Sequence, residues 1–260
     1  MEVVIVASAE DLGVVVADAV EALLARNPHA VLGLATGSSP LPVYDELIRR
    51  CAAGRVTFAR ATAFLLDEYM GLPVGHPESY RSVINRSFTG RVDFAPGAVR
   101  GPDGSAPDVT AACRAYEGAI AAAGGVDLQL LGVGSDGHIA FNEPGSSLGS
   151  RTRLKTLTRQ TLADNAQFFA AGEAVPRHVL TQGIGTILDA RHLVLVAVGA
   201  GKAVPLARVV EGPVTAMVPG SALQLHPHVS VVVDEAAAAG LALADYFRET
   251  WAGKPSWQGL

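Results

Sequence analysis

The sequence predicts a single α/β domain over residues 1–260, a doubly wound, mostly parallel sheet with helices on both faces in a Rossmann-like arrangement. Three observations predict it. Apolar strand-like runs alternate with helical patterns along the whole chain, as βαβ units require. Those runs are near-continuously apolar, which suits strands covered on both faces. The 260 residues contain no internal repeat and no linker, and 49% hydrophobic against 17% charged residues is enough to fill one large core.

The elements follow in order. Strands are expected at Val3–Val6, Val31–Ala35, Thr62–Leu66, Leu128–Gly132, Leu193–Val198 and Val229–Val233. Helices are expected between and after them at Asp11–Arg26, Val43–Ala53, Val109–Ala122, Thr181–Leu188, Lys202–Val210 and Ala236–Thr250. The alanine run 236–239 is a good helix former, with Asp234 as its cap. If Arg153–Thr156 is extended, Arg153 and Lys155 fall on one face.

Composition excludes several classes. The formal net charge is −5 and no basic run stands out, so no nucleic-acid partner is expected. No apolar run approaches the roughly 18 residues of a membrane span, so no membrane partner is expected either. The N-terminal Met1–Val6 lacks the basic start and apolar length of a signal peptide. The two cysteines, Cys51 and Cys113, are far apart and carry no metal spacing, which points to a reducing cytoplasm.

The loop after the expected strand Leu128–Gly132 concentrates the chemistry. Asp136, His138 and Glu143 lie within eight residues, among glycines. A histidine takes or gives protons near neutrality, and neighbouring carboxylates fix its tautomer and favour its charged form. Residues 132–137 also spell G-x-G-x-x-G. That dinucleotide pattern fails its context test, because Asn142–Gly145 would break the required helix. The acidic residue expected about 20 positions on is also missing, with Arg151, Arg153 and Lys155 in its place. No H-E-x-x-H or paired C-x-x-C occurs, so no metal is assigned.

Four further features carry a functional and a structural reading each. Thr36, Gly37, Ser38 and Ser39 follow a strand and precede a helix, where free backbone N–H groups attract phosphate. A serine N-cap before a proline is the plainer alternative. Lys202 sits after a strand at a helix start, either as a point charge for a phosphate or as a solvated surface lysine. Asp67 ends a strand, where a carboxylate reaches a ligand in the crevice or simply caps the strand. Ser146, Ser147, Arg153 and Lys155 combine hydroxyls and cations as a second anion site, or form a solvated loop and edge strand.

These motifs together resemble one family. LGLATGSSPLPVYDELI at 32–48, LLDEYMGLPVGHPESY at 65–80 and GVGSDGHIAFNEPGSSLGSRTRLKTLT at 132–158 are similar to the glucosamine-6-phosphate deaminase family. LTQGIGTILDA at 180–190, VGAGKA at 198–203 and LQLHP at 223–227 extend the likeness over about residues 30 to 250. The related 6-phosphogluconolactonases have a similar fold, but their loop after DGH does not normally run IAFNEP.

The resemblance implies conversion of glucosamine 6-phosphate and water to fructose 6-phosphate and ammonia, in amino-sugar catabolism and with no cofactor. It implies that His138 opens the sugar ring, that Asp136 and Glu143 orient it, and that Asp67 moves the proton from C2 to C1. It places the substrate phosphate on Thr36–Ser39 and Lys202. The family carries Arg, which helps bind that phosphate, at the position of Gln167, and a neutral amide brings no charge. Ser146, Ser147, Arg153 and Lys155 match the family's allosteric site for N-acetylglucosamine 6-phosphate, a feature of hexameric members, so a homo-oligomer is a further expectation. The competing assignments are a deaminase for another hexosamine phosphate such as galactosamine 6-phosphate, a lactonase, and a sugar-phosphate sensor without catalysis.

Overall fold

The computed structural model describes residues 1–255 and 257–260. The chain begins with β1 (Glu2–Val6), α1 (Ala9–Arg26), β2 (Val31–Leu34), α2 (Leu41–Ala52) and β3 (Thr62–Leu65). It continues through β4 (Asp67–Tyr69), α3 (Tyr80–Ser87), β5 (Val99–Arg100), α4 (Val109–Ala122) and β6 (Leu128–Leu131). Then come β7 (Arg153–Thr156), α5 (Arg159–Ala166), β8 (His178–Thr181), α6 (Ile184–Leu188) and β9 (His192–Ala197). The last are α7 (Ala203–Val210), β10 (Val229–Asp234), α8 (Glu235–Ala238) and α9 (Ala244–Ala252).

Seven strands form one sheet in the order β1-β10-β9-β6-β2-β3-β5, and every pairing is parallel. The period-2 alternation of strands divides its side chains between two cores. Val3, Val31, Leu193, Leu195, Val231 and Val233 face one core, which is closed by Tyr116 and Ile120 of α4 and Leu206 and Val209 of α7. Val4, Leu32, Val194, Val196 and Val232 face the other, closed by Leu12, Val16, Val20 and Leu24 of α1 and by Val43 and Leu47 of α2. The i, i+4 spacing in α1 puts its apolar stripe on the sheet, and Ser8 caps its start by accepting from the Asp11 N–H. Both faces are therefore covered, as the continuous apolar strands require.

The structure adds a second sheet that the sequence pattern does not announce. β4, β8 and β7 pair antiparallel in the order β4-β8-β7. Tyr69, Phe141, Leu157, Phe169 and Val179 form a small core beside it.

Several expected boundaries change. The helix expected at Thr181–Leu188 starts at Ile184, because Thr181 ends β8 and Gly183 turns the chain where a Cβ would lie 2.0 Å from the Ser150 carbonyl oxygen. The helix expected at Ala236–Thr250 is two, α8 and α9. Gly240 lies between them against the Ala203 backbone, where a Cβ would be 2.7 Å from the carbonyl oxygen. No helix among the described residues is long and apolar enough to cross a membrane.

Candidate active site

The connections of the large sheet fix where a ligand belongs. From β2 the chain moves outward one way, to β3 and β5. From β6, the neighbour of β2 on its other side, it moves the opposite way, to β9 and β10. The loops after β2 and β6 diverge at this reversal, which is where open α/β sheets bind ligands. A cavity of about 740 Å³ lies there. Its lining brings together Thr36, Gly37, Ser38 and Ser39 after β2, Asp67 from β4, His138 after β6, Lys202 before α7 and Gln167 after α5. Asp136, Glu143, Ser146, Ser147, Arg153 and Lys155 are outside that lining.

The β2 loop turns sharply into α2. Gly37 has φ +103, a left-handed conformation that glycine adopts without strain. The serine-cap reading does not hold, since the N-cap of α2 is Pro40 and no side chain caps the helix. The first-turn N–H groups of Leu41 and Val43 donate to the Ser38 and Pro40 carbonyls, and Pro42 has none, so the N–H groups with no acceptor among the described residues are those of the loop, Gly37, Ser38 and Ser39. The loop is anchored from behind by Tyr44, whose hydroxyl donates to the Ala35 carbonyl at 2.7 Å and accepts from the Ala35 N–H at 3.1 Å.

Lys202 donates from Nζ to the Val133 carbonyl at 2.8 Å, which aims the ammonium across the cavity floor. Burial lowers its pKa, and Asp164 works against that. The exposed Gln167 amide donates to the Asp164 carbonyl at 2.8 Å. Arg86 of α3, not among the expected residues, also lines the cavity. Among the described lining residues, Lys202 and Arg86 are the cations.

The expected acid–base groups, Asp67 and His138, sit on separate elements. Asp67 is 6% exposed at the start of β4, with no hydrogen bond to its carboxyl among the described residues. Burial foremost, then the charge of Glu68, pushes its proton affinity well above the usual carboxylate range. The preceding turn is held firmly, since the Tyr116 hydroxyl donates to the Leu65 carbonyl and Gln182 Nε2 donates to the same oxygen at 3.1 Å. A fixed, proton-avid carboxylate is what a general base needs.

His138 is held by a compact turn in which Gly134 N–H donates to the His138 carbonyl at 2.9 Å. A Cβ at Gly134 would lie 2.1 Å from the ring, so only glycine leaves room for the imidazole. His138 Nδ1 lies 2.6 Å from Asp136 Oδ1, a contact of proximity more than of hydrogen-bond alignment. The His138 N–H donates to the same oxygen at 3.0 Å. Burial works to raise the Asp136 pKa, but the adjacent His138 imidazole and the His138 N–H outweigh it and the net shift is downward. The turn continues into Ala140, with φ +50 the one non-glycine residue in the left-handed region among those described. Asn142 braces it by donating to the Ile139 and Gln182 carbonyls.

Glu143 lies outside the cavity lining and is held by α5. Its buried carboxylate accepts from the Thr158 N–H at 3.1 Å, the Thr158 hydroxyl at 2.9 Å and the Thr161 hydroxyl at 2.5 Å. It therefore fastens the N-terminus of α5, the helix that brings Asp164 and Asn165 to the cavity. Its hydrogen bonds among the described residues do not include one with His138.

The second cluster lies on the edge strand β7. Arg153 and Lys155 are half-buried on one face while Leu154 points outward, as alternation requires. Ser146 is buried with no partner for Oγ among the described residues, and Ser147 is exposed.

The sequence pattern missed the aromatic wall of the cavity, made by Tyr69, Tyr80, Phe141, Phe168 and Phe169. Tyr80 stacks on Phe141 at 5.8 Å and Tyr69 meets Phe169 edge-on at 5.6 Å. Tyr69 stands two residues from Asp67, a signal that strand alternation could have used.

Comparison with known proteins gives a consistent result. The family model described as glucosamine-6-phosphate isomerases/6-phosphogluconolactonase matches residues 6–232. The chain is 66% identical to a glucosamine-6-phosphate deaminase of Beutenbergia cavernae and 62% identical to one of Mycolicibacterium smegmatis, with 100% of both chains covered in each case. A solved monomeric glucosamine-6-phosphate deaminase superposes with a TM-score of 0.89 at 40% identity, over 92% of this chain and 100% of that one. A 6-phosphogluconolactonase from Trypanosoma cruzi shares the fold, with a TM-score of 0.75 at 20% identity over 93% and 97% of the two chains.

Proposed function

The chain belongs to the glucosamine-6-phosphate isomerase/6-phosphogluconolactonase family, and on that premise we propose that it converts glucosamine 6-phosphate and water to fructose 6-phosphate and ammonia. The observation that carries this reading is the pairing of Asp67 and His138 in one cavity with the Thr36–Ser39 loop, whose Gly37–Ser39 N–H groups have no acceptor among the described residues. A lactonase needs no base for a C–H proton, and a sensor needs neither group.

His138, polarised by Asp136, takes the proton from O1 and returns it to O5, which opens the ring. The freed aldehyde makes the C2 proton acidic. Asp67 removes it and delivers it to C1, the C2 ammonium gives one proton to O1, and the C2 carbon becomes an iminium. Water adds to that carbon, the C–N bond breaks, and nitrogen leaves as ammonia. Thr36–Ser39 and Lys202 hold the phosphate through both proton transfers, so the reacting carbons stay in place. Glu143 acts at one remove by fixing α5. No cofactor enters these steps.

The finer assignments rest on the same reading. Ser146, Ser147, Arg153 and Lys155 form an allosteric site for N-acetylglucosamine 6-phosphate in a homo-oligomer. The unpartnered buried hydroxyl of Ser146 and the half-buried cations of β7 support it. The protein works in the cytoplasm as one domain, in keeping with its two free cysteines.

Ammonia release tests the function. Glucosamine 6-phosphate yields ammonia and fructose 6-phosphate in equal amounts. A faster reaction with galactosamine 6-phosphate shifts the substrate, hydrolysis of 6-phosphogluconolactone without ammonia makes it a lactonase, and binding without turnover makes it a sensor. Sedimentation with and without N-acetylglucosamine 6-phosphate, with the substrate saturation curve, tests the allosteric assignment.

A further inference from the structure

Asp67 and Glu68 are consecutive in β4 and point to opposite sides, Asp67 into the cavity and Glu68 behind it. Glu68 is buried, and both its oxygens are engaged. Oε1 accepts from the Tyr69 N–H and the Tyr80 N–H, each at 2.9 Å, and Oε2 accepts from the Arg81 N–H at 3.0 Å. Tyr80 and Arg81 are the first two residues of α3. Ser79 takes the next N–H, that of Ser82, at 3.2 Å. The first turn of α3 is thus closed by one carboxylate reaching from the strand that carries Asp67. That helix supplies Tyr80, Val83, Arg86 and Ser87 to the cavity wall.

We propose that Glu68 is a positioning residue for the proton transfer: it locks α3 against β4 and places a fixed negative charge directly behind Asp67. The inference rests on Asp67 being the C2 base. Anions are stabilised at a helix start, so the same contacts that tether α3 hold the charge where it repels a second one on Asp67. The charge makes Asp67 hold a proton more firmly and so act as a stronger base, in line with the upward shift that burial begins and Glu68 extends.

Other titratable groups face Asp67. They are Tyr69 on its own strand, Tyr80 on α3, Tyr116 on α4 and His138 across the cavity. Thr181, its β8 partner, does not titrate. Glu68 itself is met by Arg81 from α3 and by the loop at Gly104, with Asp103 beyond. Glu68 is the one carboxylate among the described groups that bears on Asp67 as a charge.

The test is the pH profile of kcat/KM with glucosamine 6-phosphate for wild type, Glu68→Gln and Glu68→Asp, with Asp67→Asn in parallel. Glu68→Gln removes the charge, so the acid limb moves to lower pH by about one pH unit and the plateau falls. Glu68→Asp keeps the charge on a shorter arm, so the acid limb stays in place while KM rises from the loosened wall. A purely structural role would raise KM in both variants and leave the acid limb unmoved, which overturns the proposal. If Glu68→Gln does not fold, Glu68→Ala assayed with and without added formate takes its place: an acid limb at lower pH that formate returns toward the wild-type position sustains the proposal, and a limb at the wild-type position without formate overturns it. Continued deamination by Asp67→Asn removes the premise itself. Loss of activity there, with an unmoved Glu68→Gln profile, removes only this inference.

Discussion

Replacing Tyr44 with Phe tests how the fold holds the phosphate loop. The ring of Tyr44 is buried and stacks on Phe88 with centroids 4.6 Å apart and planes 11° from parallel. Phenylalanine keeps that contact, so the change isolates the hydroxyl. Two hydrogen bonds disappear, one to the Ala35 carbonyl and one from the Ala35 N–H. Each has a net worth of about 1 kcal/mol, and stranding the buried peptide groups of Ala35 adds to it. The expected loss is about 2–4 kcal/mol in urea unfolding, or roughly 5–15 °C in Tm for a chain of this size. Ala35 leads directly into Thr36–Ser39, so KM for the sugar phosphate rises more than kcat falls. Stability within about 0.5 kcal/mol of wild type, with an unchanged KM, would refute the reasoning. It would mean that Ala35 finds its partners elsewhere.

Three more expectations follow from the same geometry. His138→Gln slows turnover of the cyclic substrate by roughly 10²–10⁴-fold, and pre-steady-state kinetics on the open-chain form should show a much smaller loss. Gln167→Arg adds a charge-assisted bond to the phosphate and lowers KM by about tenfold or more, with little change in kcat; a titration with inorganic phosphate that shows no gain leaves Lys202 and Arg86 as sufficient. Acid unfolding involves His192, buried and stacked on His228 at 3.7 Å, whose pKa is lowered by burial to about 3. The neutral ring is the folded form and the unfolded chain binds the proton, so its stability contribution is full above pH 6.5 and is lost as pH falls from 6.5 toward about 3. Urea midpoints at pH 7 and pH 5 should show that loss, at most about 1.4 kcal/mol per pH unit for this group, and His192→Gln should flatten it.

The large sheet was legible because its strands are apolar on both sides and alternate with amphipathic helices. Leu193–Val198 and Val229–Val233 could not be solvated, so their burial follows from composition alone. The small sheet was not legible in the same way. β4 is Asp-Glu-Tyr and reads as a polar turn, and the short β8 merged with the helical pattern that follows it. Such strands form because partners arrive from distant parts of the chain, 114 positions apart in the pairing of Asp67 with Thr181. The helices α3 and α5 escaped notice for a related reason. Each is short and polar, and each is nucleated at its start by a carboxylate from elsewhere, Glu68 for α3 and Glu143 for α5.

Thr36–Ser39, Asp67 and His138 each stand in one loop or at one strand end, so they were readable as candidates, and the cavity gathers them. The pairing of Asp136 with His138 was readable as well, since two residues separate them. The hydrogen bonds of Glu143 to Thr158 and Thr161 were not readable, because they depend on α5 packing against the turn that passes through the strained Ala140. Arg86 and the aromatic wall depend on α3 and the small sheet, and they share the obscurity of those elements.

The assignment of Asp67 as the C2 base is the centre of the account, and hydrogen exchange at C2 tests it most directly. Glucosamine 6-phosphate is incubated in D₂O with wild type and with Asp67→Asn, and the C2 hydrogen of recovered substrate and the C1 hydrogens of product are followed by proton NMR. Wild type should release ammonia and yield fructose 6-phosphate labelled at C1 to the extent that the base exchanges with solvent. Asp67→Asn should bind the sugar phosphate with near-wild-type affinity, leave C2 unexchanged and release no ammonia. Deamination or C2 exchange by Asp67→Asn at near-wild-type rate would contradict the account.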